Sequence, residues 1–343
     1  MPHTADPAQP TTVPATGAGI VVIGRNEGAR LMSCLSGVRR QPRPTIYVDS
    51  GSTDGSAERV RALGIRLLKL DPATPFSAAR ARNEGARTLL AAFPQLEFIQ
   101  FVDGDCLFAP DWFDAAEAAL HADERCAVVL GHQREQHPED SVYNHLFAME
   151  WRSPSGPVAN PGQLIGNMMV RRTVFEALGG FNPQVIAGED SEFGVRVGLA
   201  GHKAVKLDRT MALHDADMHR FWQWWKRAVR AGHAIGQRAQ LHGSGPALDC
   251  ARERRSTWFW GVLLPLAVVM AAPATRGLSL FLLGGYLILG WRVARFRSAI
   301  GDTAREARLY ALFTVVGKYA NGVGLLKYQL NRLHGQMRII EYK

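Results

Sequence analysis

The sequence predicts an α/β protein with a mostly parallel sheet flanked by helices, followed by an apolar, basic helical region. Three observations carry this. From residue 19 onward, strand-length apolar runs alternate with helical stretches of about 10–15 residues, the pattern of parallel strands joined by crossover helices. The run Phe98–Val102 ends abruptly in Asp103-Gly104-Asp105, two carboxylates one residue apart at a strand end. Beyond about residue 245 the composition shifts to long uncharged runs between clusters of arginine.

The first strand is Ile20–Ile23, and Arg30–Arg40 has helical spacing at Leu31, Leu35 and Val38. Thr45–Val48 is the second strand, followed by a Gly/Ser/Asp turn and a helix near Ser56–Leu63. Arg66–Leu70 is the third. Phe76–Phe93 is an Ala-rich helix with Ser77 as N-cap. Phe98–Val102 is the fourth strand, and Pro110 opens a helix reaching about His121. Ala127–Gly131 is a fifth. The pattern then loosens: Leu164–Val170 and Lys203–Leu207 read as strands, Thr173–Leu178, Ser191–Leu199 and the aromatic-rich His219–Leu241 as helices.

Ser256–Pro273 is 18 residues without a charge, about 27 Å as a helix. Leu278–Trp291 is a second uncharged run of 14 residues. Arg252, Arg254 and Arg255 precede the first and Arg292, Arg295 and Arg297 follow the second, so the positive-inside rule predicts a hairpin with both flanks cytoplasmic. A third run, Leu309–Leu326, contains Lys318 and Asn321 and reads as an interfacial helix. The expected organisation is a tail over 1–17, a catalytic domain over 18–245 and a membrane-associated region over 246–343.

The net charge of +9 is unevenly spread. Residues 220–343 hold 19 basic and 5 acidic residues, whereas residues 1–219 hold 21 and 26. An acidic front excludes a nucleic-acid binder, and a basic, apolar back suits anionic lipid. Cys34, Cys106, Cys126 and Cys250 show no paired spacing, which excludes a zinc ribbon or a disulfide framework. Residues 1–17 lack the basic start and apolar core of a secretory signal and read as disordered.

Side chains two apart on a strand point the same way, so Asp103 and Asp105 converge at a carboxyl edge, where open α/β sheets bind ligands. Hard oxygen donors there suit Mg²⁺ or Mn²⁺ holding a diphosphate; an acidic turn is the plainer alternative. Four further motifs accompany them: Val22-Ile23-Gly24-Arg25-Asn26-Glu27, the segment Tyr47–Ser56 with Asp49 at its strand end, Ala81-Arg82-Asn83-Glu84-Gly85, and Gly188-Glu189-Asp190-Ser191-Glu192. In this order, over roughly residues 18–220, they resemble the family 2 inverting glycosyltransferases of the GT-A fold, the Rossmann-like fold of nucleotide-diphospho-sugar transferases.

Asp49 either accepts from a base or ribose or stabilises its own turn, a role open equally to Ser52 and Asp54. Asn26 and Glu27 shape a nucleotide pocket, or Glu27 caps the next helix. Arg82 pairs with a phosphate or holds an acidic loop. The resemblance implies that Asp103 contacts ribose or metal, that Asp105 ligates the metal, and that Asp190 is the general base. It also makes His214 a further metal ligand, although Asp215, Asp217 and His219 stand beside it. Glu189 and Glu192 read as helix N-terminal acids. Processive members carry Gln-x-x-Arg-Trp; here Gln223-Trp224-Trp225-Lys226-Arg227 replaces the Arg-Trp pair, which argues against processive synthesis. The expected activity is metal-dependent (Mn²⁺ or Mg²⁺), inverting transfer from a nucleotide-sugar donor, a UDP-sugar first, to a lipid-linked or envelope-glycan acceptor at the cytoplasmic membrane face. The rivals are a nucleotidyltransferase and a non-catalytic nucleotide-sugar scaffold.

Overall fold

The computed structural model describes residues 17–335; the tail expected over 1–17 therefore falls, apart from Gly17, outside the described residues. The chain divides into one unit of Met1–Gln184 with Glu189–Asp217 and a second of Val185–Gly188 with Met218–Lys343.

The first unit opens with four parallel strands, β1 Ala18–Gly24, β2 Thr45–Asp49, β3 Arg66–Lys69 and β4 Phe98–Asp103, in the order β3-β2-β1-β4. The helices α1 Gly28–Val38, α2 Ser56–Ala62 and α3 Ala78–Ala92 connect them. Near-continuous apolar sequence is what a strand covered on both faces requires, and every residue from Phe98 to Val102 is buried. Ser77 caps α3 as expected, its hydroxyl accepting from the Arg80 amide at 3.1 Å. Gly85 lets α3 lie close on the sheet, since a Cβ there would stand 2.5 Å from Val21 Cγ1 and 2.7 Å from Val48 Cγ2.

The chain continues through β5 Cys106–Phe108, α4 Trp112–Ala122, β6 Cys126–Glu135, α5 Val142–Glu150, β7 Gly156–Pro157, β8 Met168–Arg171, α6 Arg172–Ala177, α7 Glu189–Leu199 and β9 Lys203–His214. The sheet extends β4-β8-β6-β9-β5, with β7 on β9. This half is mixed: β8 runs antiparallel to β4 and β6, β6 and β9 pair in parallel, and β5 and β7 are antiparallel to β9. Parallelism thus holds for β1–β4 and gives way at β8, which runs against both of its neighbours.

The second unit holds α8 Phe221–His242, then α9 Ala251–Trp258 running through a π turn at Phe259–Leu263 into α10 Leu264–Ala271. A 3₁₀ turn at Leu278–Leu283 leads into α11 Gly284–Ala299, and α12 spans Ala304–Leu333. The second unit begins at Met218 and takes in α8, which is built to pack on α12. A Cβ on Gly232 would stand 2.1 Å from the Asn321 carbonyl oxygen, and one on Gly324 1.9 Å from that of Val229. Only glycine permits backbones this close. The four residues Val185–Gly188 also belong here: the Ile186 amide donates to Gln237 Oε1 and Arg230 Nη2 donates to the Ile186 carbonyl, each at 3.4 Å.

Among the described residues, two helices are long and apolar enough to cross a membrane, Leu278–Ala299 and Ala304–Leu333. The sequence reading had instead paired Ser256–Pro273 with Leu278–Trp291. The π turn interrupts the first of those runs. The third run is one 30-residue helix begun by a Thr303–Glu306 capping box, and its Lys318 ammonium donates to Ser256 Oγ at 3.1 Å.

Candidate active site

Parallel register sets Gly24 beside Asp49 and Ile23 beside Asp103, so the ends of β1, β2 and β4 share one carboxyl edge. The loops after β1 and β2 are stitched together there. Asn26, at φ +56°, accepts the Thr53 amide on Oδ1 at 2.8 Å, while its own amide donates to Ser52 Oγ at 3.0 Å. The Gly28 amide donates to Asp54 Oδ2 at 2.9 Å. Asp49 is 3% exposed; its Oδ2 accepts the Ser52 amide at 3.1 Å and its Oδ1 accepts from Tyr47 Oη at 3.4 Å. The turn role weighed for Asp49 is therefore present. Glu27 occupies the N-cap position of α1 without capping it, and pairs instead with Arg30 at 3.0 Å.

Arg82 joins two distant acids. Its Nη2 donates to Asp103 Oδ1 at 2.7 Å and its Nη1 to Glu189 Oε1 at 2.5 Å, while Nε is buried without a partner. Burial opposes this charge, but Asp103, Glu189 and Asp190 outweigh it and push the guanidinium further up. Both terminal nitrogens serve carboxylates, so the acid-holding alternative weighed for Arg82 is present. Gly166 makes the clamp possible, because a Cβ there would fall 2.1 Å from Arg82 Nη2 and 3.1 Å from Asp103 Oδ2.

Glu189 thus anchors the first turn of α7, and Asp190, next in sequence, is half-buried with Oδ1 accepting the Ser191 amide at 2.6 Å. Glu192 is held by Arg196, whose Nε lies 3.0 Å from both its oxygens. Both acids stand in the first helical turn as expected, but ion pairs hold them there as well as the dipole.

Asp105 and His214 meet because β5 and β9 pair antiparallel with Cys106 opposite His214. His214 Nε2 lies 3.6 Å from Asp105 Oδ2. Asp105, Cys106 and His214 each offer a ligand atom within 4.8 Å of the others. Burial first, then the charges of Asp105 and Asp103, push the Cys106 thiol far up, so it stays a neutral S–H that donates to Asp105 Oδ1 at 3.5 Å. A carboxylate oxygen and an imidazole nitrogen facing each other, with Asp103 two residues away, form a donor set that fits Mg²⁺ or Mn²⁺. Asp217 pairs with Arg30 at 3.3 Å, away from that role.

Sequence reasoning missed Asn167. It is 1% exposed and pins the acidic turn from beneath: Oδ1 accepts the Asp103 amide at 2.8 Å, and Nδ2 donates to Cys106 Sγ at 3.1 Å and Gln133 Oε1 at 2.7 Å. No local pattern marks such a residue. In the second unit, Gln223 Oε1 accepts the His219 and Arg220 amides at 2.9 Å, so this glutamine caps α8.

Residues 19–179 match the family model Glycosyl transferase family 2. Among curated relatives, the O-antigen chain rhamnosyltransferase WbaN of Salmonella anatum is 27% identical over 173 residues, 48% of this chain and 53% of its own length. The match therefore spans about half of that relative. The glycosyltransferase AglE of Haloferax volcanii is 24% identical over 225 residues, 62% of this chain and 71% of its own. Among solved structures, the mannosyltransferase PcManGT of Pyrobaculum calidifontis, in complex with GDP-Man and Mn²⁺, aligns with a TM-score of 0.56 at 20% identity over 89% of this chain and 86% of that one. At this identity the likeness is one of fold, the GT-A fold.

Proposed function

We propose, from the family 2 glycosyltransferase domain that this chain carries over residues 19–179, that it moves one sugar from a nucleotide-diphosphate donor to a glycan or lipid-linked hydroxyl with inversion. The observation that carries this reading is the Arg82 clamp, which ties Asp103 at the end of β4 to Glu189 at the start of α7. The charge of the adjacent Asp190 also acts on Arg82, which supports a role for Asp190 beside this clamp.

Asp190 takes the acceptor proton as the hydroxyl oxygen attacks the anomeric carbon, and the bond to the diphosphate oxygen breaks in the same displacement. Asp105 and His214, with Asp103 beside them, would hold a divalent cation, which would supply charge neutralisation for the departing diphosphate. The loops stitched through Asn26, Glu27 and Asp49 form the wall for the nucleotide. Arg82 keeps two carboxylates fixed, so little reorganisation is needed at the moment of reaction.

UDP-sugars are the first donors to try, as in the sequence reading. A GDP-sugar is the second reading, favoured by the GDP-Man held in the Pyrobaculum structure. The proposed location is the cytoplasmic face of a membrane. Two apolar helices and exposed side chains such as Phe281 at 81% and Leu287 at 79% support it.

The test is a thermal-shift screen of the full chain in detergent against UDP- and GDP-sugars with Mn²⁺, followed by Asp190→Asn. One donor should raise Tm, since a ligand binding only the folded state stabilises it. Asp190→Asn should still bind that donor and lose about 10²–10⁴ in transfer rate. Donor binding lost together with transfer, or transfer retained, removes Asp190 as the base. No stabilisation by any donor removes the nucleotide-sugar reading.

A further inference from the structure

The parallel pairing of β6 with β9 sets Glu135 opposite His214, after register shifts around His132 and Gln133. Such irregularities re-aim side chains near functional sites. The Glu135 side chain is fully buried, with Oε2 3.5 Å from His214 Nδ1. Its Oε1 accepts the His137 and Ala216 amides, each at 3.3 Å. The His214 ring is further fixed by Phe147, stacked at 6.1 Å between centroids, and by Trp151, edge-on at 4.8 Å.

We infer that Glu135 is a positioning residue of the cation site: it holds the His214 proton on Nδ1 and so turns the Nε2 lone pair toward Asp105. A carboxylate accepts and does not donate, so the nitrogen facing Glu135 carries the hydrogen. The other nitrogen is then an acceptor, and 3.6 Å away it meets the carboxylate oxygen of Asp105. With the ring neutral, two electron-rich atoms held face to face repel unless a cation, a proton or a metal ion, sits between them. The arrangement is that of a metal-bound histidine whose second nitrogen is held by a buried carboxylate, which fixes both tautomer and ring orientation. Glu135 touches neither donor nor acceptor in this assignment and acts only through His214.

The inference rests on the metal reading above, and two measurements separate them. The first is the tautomer of His214 in the full chain, read from ¹⁵N shifts of labelled histidine at pH 8. Protonated Nδ1 is expected; an Nε2–H tautomer overturns the inference whatever the metal does. The second is Mn²⁺ affinity, followed by electron paramagnetic resonance with Mn²⁺ alone. Glu135→Gln should weaken binding by about 10–100-fold. Adding it to His214→Ala should cost nothing further, because its whole effect passes through that ring. Normal affinity in Glu135→Gln, or two losses that simply add, overturns the inference while leaving the metal reading standing. Mn²⁺ binding indifferent to His214→Ala removes that ligand from the metal reading and overturns the inference with it, whereas the rest of the metal reading stands. Should Glu135→Gln fail to fold, the wild-type tautomer decides alone.

Discussion

At the scale of single residues, the site depends on what Arg82 can reach. A buried guanidinium is retained only because both acids accept from it; removing one partner of such a pair typically costs about 3–5 kcal/mol. The least intrusive way to disturb it is Gly166→Ala. The added methyl would overlap Arg82 Nη2 at 2.1 Å, and the guanidinium, buried at 3% exposure, has little room to withdraw. It must leave Asp103 or Glu189. We expect Gly166→Ala to lower Tm and to cut transfer by at least about tenfold, whereas Gly64→Ala, with nothing within 4 Å, shows only its backbone penalty at φ +69°. Equal effects of the two substitutions would mean that the clamp does not matter to activity. The residues legible in the sequence were those with a local signature: Asp103 and Asp105 at a strand end, Asp190 in its acidic run, His214 after a strand. Glu135 and Asn167 were not, because a buried polar residue is recognised by its partners, and those lie 79 and 64 positions away. The role of Arg82 was legible only as a choice between two kinds of anion.

At the scale of elements, β1, β2 and β4 were legible because runs buried on both faces leave continuous apolar sequence. β5 and β7 span three and two residues, too few to show a period. The extension of β6 through His132-Gln133-Arg134-Glu135 was hidden for a different reason: the strand turns polar where it enters the site. In the second unit, the crossing of α8 and α12 encloses His233, which is wholly buried with neither ring nitrogen hydrogen-bonded and stands edge-on to Tyr328 at 5.2 Å. Burial, and then the nearby Arg230 charge, lower its pKa from 6.5 to about 4. The unfolded chain therefore takes up a proton below pH 6.5 that the folded chain refuses until about pH 4. Stability is fully present above pH 6.5 and falls as pH drops through that window, by about 3 kcal/mol in all. Thermal melts of wild type and His233→Leu between pH 7.5 and 4 isolate this contribution from that of the carboxylates. The variant should melt with a flatter dependence on pH; parallel curves would place the proton elsewhere.

At the scale of the whole molecule, charge and apolar surface divide along the chain. Residues 220–343 carry 19 basic side chains against 5 acidic ones, and the large exposed apolar residues are concentrated there. A surface of that kind is unusual on a protein that meets only water. The boundary at 217/218 gives this a test that the boundary at 245 does not. A chain ended after Gly245 keeps α8 but loses α12, and so uncovers Trp224 and Val229, which are buried in the intact second unit and lie against α12. A chain ended after Asp217 keeps the first unit and leaves Val185–Gly188 without the rest of the second. We expect the full chain to float with vesicles containing anionic lipid and to resist extraction by high salt, since insertion of apolar helices is not screened as surface charge is. The chain ending at Asp217 should stay in solution, monomeric, and the chain ending at Gly245 should aggregate or float. Release of the full chain by salt alone would leave the basic surface as the sole attachment and remove the apolar helices from the membrane. A monomeric, soluble chain ending at Gly245 would return α8 to the catalytic unit, since its apolar face would then need no cover from α12.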